Sequence, residues 1–163
     1  MEAVVAEETK QPRPEKEKFK YYALSPQDIQ TNWAHIEPFI ERILPKLRDQ
    51  TMETLMRALL DPQIEMHLWA CVRHREIKAL ICFEFRTSET GFKLAHSLWM
   101  VGQNMKKWIP DFRAPLYAWC KQNNVDHIVV LAPWALQRYW PEWKRSHVLM
   151  EPPEDWKENA NVS

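Results

Sequence analysis

Two titratable side chains, Glu84 and His96, stand in neighbouring strand-like runs, and an imidazole in such a place can take up or release a proton near neutral pH. Glu84 lies in the run Ile77–Arg86, where Ile77, Ala79, Ile81, Phe83 and Phe85 alternate with Lys78, Leu80, Cys82, Glu84 and Arg86. That spacing predicts one fully apolar face and one mixed face, with Glu84 on the mixed one. Read from its surroundings alone, Glu84 is a half-exposed acid paired with a lysine or arginine. His96 falls mid-strand with Leu94, Leu98 and Met100 expected on its face, which suits either a base or a hydrogen-bonded core or edge histidine. His67, His74, His127 and His147 show no His-x-x-x-His or His-Glu-x-x-His spacing, so no metal site is expected. Cys71, Cys82 and Cys120 form no Cys-x-x-Cys pair and sit in apolar runs, which reads as core thiols in a reducing compartment.

A second chemical feature is the segment Trp134–Trp143, where Trp134, Trp140 and Trp143 are interleaved with Arg138 and followed by Lys144 and Arg145. Tryptophan and arginine dominate interface hot spots, and aromatics among cations can also stack on a single nucleic-acid strand. The same rings could instead cover the open end of a sheet.

Composition limits the choices. The 163 residues fit one domain, and 45% hydrophobic residues suffice for one core. Nine tryptophans bring large apolar area, whereas only two glycines argue against motifs that need bare backbone beside a phosphate. The net charge of zero removes any global electrostatic case for nucleic acid. No apolar run reaches signal-peptide or membrane-spanning character, so a soluble intracellular protein is expected.

These side chains need a scaffold. Residues 1–20 are rich in Glu, Lys and Pro and read as a disordered charged tail; 152–163 read as a flexible C-terminal tail; the folded unit is 21–151. Tyr21–Leu24 suits a short strand. Ser25-Pro26-Gln27-Asp28 starts a helix, with Pro38 expected to restart it, and Thr51 caps another that stops at Asp61-Pro62. Met66–Arg73 and Ile77–Arg86 form a hairpin about His74-Arg75-Glu76. Lys93–Val101 is a third long strand, followed by the turn Gly102-Gln103-Asn104, a helix with Pro110 and Asp111 near its start, and a short buried parallel strand about Ile128–Leu131. A helical turn through Ala135–Tyr139 and a last strand, Ser146–Met150, complete the order.

That order, β-α-α-β-β-β-α-β-α-β, resembles the GNAT acyltransferase superfamily: an α/β (α+β) fold with a mixed central sheet of about five to seven strands flanked by helices. Lys93–Val101 takes the place of the family's central strand, Gly102–Lys107 that of its acyl-CoA pyrophosphate loop, and Ala135 and Tyr139 match its late Asn-x-x-Ala-x-x-x-Tyr helix, with Ala132 where the Asn belongs. The chain is most similar to small, divergent GNAT-like proteins of tailed bacteriophages. The resemblance implies Glu84 or His96 as general base, Tyr139 as the acid that protonates a departing thiolate, and Met100, Val101, Gly102, Gln103, Lys106 and Lys107 as the acyl-CoA site. The family loop, however, reads Gln/Arg-x-x-Gly-x-Gly/Ala, and its glycines expose amides to the pyrophosphate. Gln, Asn, Met, Lys, Lys and Trp follow Gly102 here, and their side chains are expected to crowd the anion.

The expected function is therefore a degenerate GNAT-like scaffold with no cofactor certain and acetyl-CoA possible, acting through a protein partner that Trp134, Arg138, Trp140 and Trp143 would dock. It would be a phage accessory or virion-associated protein, in the bacterial host cytoplasm or packaged in the virion. The alternative is an acyl-CoA-dependent N-acyltransferase using acetyl-CoA, and a weaker third reading is a nucleic-acid-binding module.

Overall fold

In the computed structural model, residues 16–131 and 137–144 are described. Strand β1 (Lys20–Leu24) leads into helices α1 (Pro26–Thr31), α2 (Trp33–Ile43) and α3 (Met52–Leu60), with a single 3-10 turn at Leu44–Lys46. Strands β2 (Met66–Arg73), β3 (Glu76–Thr87) and β4 (Lys93–Gly102), helix α4 (Met105–Gln122) and strand β5 (His127–Val130) follow. The strands form one sheet in the order β1-β2-β3-β4-β5. Every pairing is antiparallel except β4 with β5, whose crossover is α4. The expected turn at 135–139 and the strand 146–150 lie wholly or partly outside the described residues; Gln137 and Arg138 form a short 3-10 turn. No described helix is long and apolar enough to cross a membrane.

Local chemistry explains the helix starts. Ser25 and Asp28 cap each other at α1, and Thr51 and Thr54 do so at α3, satisfying amides that have no helical partner. The break in the first helical region falls at Asn32, not at Pro38, which lies inside α2. The buried side chains of Ile36, Ile40 and Ile43 hold α2 on the sheet in spite of the missing donor at Pro38. Helix α4 likewise begins five residues before Pro110 and contains both Pro110 and Pro115. Trp108, Ile109, Phe112, Leu116 and Cys120 anchor it.

Each face of the sheet carries its own core. Helix α4 covers Trp69, Cys71, Ile81, Phe83 and Phe85, an aromatic-rich layer; α1–α3 cover Leu68, Ala70, Leu80, Cys82 and Trp99. The mixed face of β3 is thus buried as well, up to Cys82, and becomes polar only at Glu84 and Arg86.

Two β-bulges change the expected alternation. In β3 the register slips at Lys78, so Ile77 pairs with Val72 and joins the α1–α3 side, away from Ala79 and Ile81. In β4 the extra residue is Leu98: Cys82 faces Trp99, while Phe83 faces Ser97. One inserted residue reverses the phase of everything beyond it. His96 therefore shares its face with Leu94, Trp99 and Val101, whereas Met100, expected beside it, joins Ala95 and Ser97 on the α4 side.

The described residues just ahead of β1 are attached to the body. Phe19 packs against the α4-side core, and Glu17 accepts from His74 Nδ1 at 2.6 Å.

Candidate functional site

Strand β4 has two unlike halves. Leu94–Ser97 is paired on both sides, antiparallel to β3 and parallel to β5. The parallel ladder ends at Ser97–Val130, one residue before the bulge. From Leu98 to Gly102 the strand pairs with β3 only, among the described residues, so its other edge keeps backbone groups free for a ligand. Ser97, fully buried at that junction, has a hydroxyl with no partner among the described residues. Nothing in the sequence singled Ser97 out, because the pattern does not mark where a ladder stops.

The structure brings Glu84 and His96 together, directly opposite each other across β3 and β4. Arg86, absent from the expected site, neutralises Glu84: its Nε and Nη2 both donate to Glu84 Oε2, at 2.9 and 2.8 Å. Burial lowers the His96 pKa below the usual histidine value, with the Arg86 charge acting in the same direction and Glu84 opposing it. His96 Nδ1 is buried without a partner among the described residues. An imidazole kept neutral at pH 7 can accept a proton, so His96 is the better base of the two.

Tyr139 is not brought to this pair. It packs against the α4-side core, on the opposite face of the sheet from Glu84 and His96. Two rings of the Trp-rich segment, Trp140 and Trp143, turn inward. Trp140 is 2% exposed and donates from Nε1 to the Ile109 carbonyl at 3.1 Å. Trp143 stacks on Tyr117 and donates to its hydroxyl. Trp140 is therefore core and not the docking surface expected of it, because the aromatic layer on α4 gives it more apolar contact than solvent would. Arg138 is exposed, and Trp134 and Ala135 lie outside the described residues. The three thiols are no nucleophiles: burial raises the pKa of Cys71 to about 12 and of Cys120 to about 11, and pushes Cys82 up as well.

At the far end of β4, Met100 and Val101 point to opposite faces. Gly102 is required by the sheet: a Cβ there would sit 2.5 Å from Ala79 Cβ and 2.8 Å from the Lys78 carbonyl oxygen. The link to α4 is only Gln103 and Asn104, the latter left-handed at φ 55° with no side-chain cap. Lys106 and Lys107 are thus not in a loop, as expected, but in the first helical turn, both exposed and with no acidic residue beside them in that turn. The N–H groups of Met105 and Lys106 precede the helical ladder. Uncapped amides, a positive helix end and two ammonium groups form an anion-binding donor set. Gln103, Asn104 and Lys107 also border a groove of about 630 Å³ that runs toward α2 and the β2–β3 turn.

No protein-family model matches the sequence, and no curated protein matches it. Solved structures do match. An aminoglycoside acetyltransferase from an uncultured soil metagenomic sample superposes with a TM-score of 0.61 at 13% identity, over 83% of this chain and 95% of that one. Glucosamine-6-phosphate N-acetyltransferase from Arabidopsis thaliana gives 0.57 at 16% identity, over 85% and 100%. A predicted acetyltransferase from Clostridium acetobutylicum, solved with acetyl-CoA, gives 0.55 at 13% identity, over 83% and 96%. At such identities the likeness is one of fold: a GNAT-like mixed sheet flanked by helices.

Proposed function

We propose that the chain is an acyl-CoA-dependent N-acyltransferase that uses acetyl-CoA. The main support is a coincidence along one strand: the β5 ladder ends beside the Leu98 bulge, and the free half of β4 leads straight to the uncapped, dibasic start of α4. That donor set suits a diphosphate, with Lys106 and Lys107 supplying charge where the family pattern has glycine-rich backbone. The cofactor would supply an acyl group activated as a thioester. The exposed half-edge of β4 would orient its amide-bearing arm by strand-like hydrogen bonds.

His96 would take the proton from the attacking amine, directly or through one water, as nitrogen bonds to the acyl carbon and the carbon–sulfur bond breaks. Arg86 would hold Glu84 and keep the imidazole neutral. Tyr139 has no such support as the acid, and the leaving thiolate would take its proton from solvent. The scaffold reading rested first on side chains crowding an anion after Gly102, and Lys106 and Lys107 stand instead in the first turn of α4; with Trp140 buried it also loses one ring of its docking surface, and the nucleic-acid reading loses the same ring.

Isothermal titration of the whole chain with acetyl-CoA tests the reading. Saturable binding that weakens at least tenfold in a Lys106→Glu, Lys107→Glu double variant is expected. Absence of heat at millimolar acetyl-CoA would sink it.

A further inference from the structure

The groove at the end of the sheet holds two cations that the acyl-transfer reading does not use and shares a third, Lys107, with it. Arg42 on α2 and Arg73 at the end of β2 both line it, together with Lys107 from α4. Neither arginine has a carboxylate partner among the described residues. Each guanidinium instead lies over a phenyl ring, Arg42 over Phe39 at 4.8 Å and Arg73 over Phe19 at 5.0 Å. Arg73 Nε is shielded from solvent and has no partner there. Rings hold these guanidinium planes in place while leaving N–H groups unused, which lowers the entropy lost when an anion arrives. The neighbouring side chains of Lys78 and His74 are already paired, with Glu76 and Glu17.

We infer that this groove is a binding site for a phosphate monoester carried on an apolar body. A dianion matches Arg42, Arg73 and Lys107, none with a carboxylate partner among the described residues, beside the positive end of an 18-residue helix. The remaining volume, about 630 Å³ in all, exceeds what a bare phosphate fills, and Phe19, Pro38, Phe39 and Ile77 give it apolar walls. The site lies over β2 and β3, on the other side of β4 from β5; its two arginines are its own, while Lys107 and the start of α4 are shared with the proposed acyl-CoA site.

Titration of the full chain with AMP, adenosine and inorganic phosphate separates the contributions. AMP is expected to bind saturably and less tightly as salt rises, phosphate more weakly than AMP, and adenosine not at all. Arg42→Ala, at an exposed position, and Arg73→Gln, which keeps the stem of a half-buried residue, should each weaken AMP about tenfold or more with thermal stability kept. Both should leave acetyl-CoA binding intact, whereas Lys106→Glu, outside the groove, should leave AMP binding intact. If Arg73→Gln unfolds the chain, Arg42→Ala alone decides. The inference is overturned if AMP fails to bind at millimolar concentration, if adenosine binds as well as AMP, or if AMP binding survives Arg42→Ala and is lost in Lys106→Glu.

Discussion

The two halves of β4 differ by one hydrogen-bonded neighbour. Before Leu98 the strand is locked between β3 and β5, with Ala95 and Ser97 fully buried. After Leu98 it keeps β3 alone among the described residues, its residues are mostly half-buried, and it ends at the α4 start. The same strand thus supplies rigidity with one half and unsatisfied backbone with the other, and the bulge is the boundary. A binding edge is tolerable in a sheet when the adjoining half is fully paired and fixes its position.

Trp99→Ala should break the contrast most completely. Trp99 is the first residue past the bulge, faces Cys82 on the α1–α3 core and is 6% exposed. A loss of ~3–5 kcal/mol is expected in denaturant unfolding. Gly102→Ala strikes the free half at its closest approach to β3; because backbone must move, ~1–3 kcal/mol of destabilisation is expected from the shift in Tm.

Two half-buried histidines, His96 in the locked half and His67 on β2, should respond to acid. Burial lowers the pKa of both His67 and His96, so the folded state binds fewer protons than the unfolded one. Their contribution is fully present above the ordinary histidine pKa of about 6.5 and is lost as pH falls below it. His67→Gln and His96→Gln should each flatten the fall in Tm between pH 7 and pH 5; an unchanged slope in both would refute the assignment. The smallest effect belongs to Ser97→Ala. Removing a buried hydroxyl that has no partner among the described residues should leave stability unchanged or raise it by up to ~1 kcal/mol, measured without ligand.

Much of the scaffold was legible because its signals are local. Ser25-Pro26-Gln27-Asp28 and Thr51 mark helix starts by capping chemistry, and the unit from Lys93 through Val130 shows its strand, helix and strand in the residue pattern. The hairpin turn, read about His74-Arg75-Glu76, proved to have two central residues, His74 and Arg75, with φ values of 53° and 61°. Three features escaped. A period of two carries no mark of where the register slips, so the bulges at Lys78 and Leu98 misassigned the faces of Ile77 and Met100. Proline rules describe a helix in isolation, and packing overrode them at Pro38, Pro110 and Pro115. The Arg86–Glu84 pair and the stacked Arg42 and Arg73 depend on which strands and helices meet. Spacing along the chain reports none of that.

Pro110 and Pro115 give α4 a further property. Neither can donate to the carbonyl four residues back, so the helix forgoes two ladder bonds and depends on Trp108, Phe112 and Leu116 seated against the sheet. A peptide spanning 105–122 alone would be mostly coil. The positive pole at Met105 therefore comes into being only with the tertiary fold, and any anion captured there shifts the melting equilibrium of the entire domain in proportion to the logarithm of its concentration.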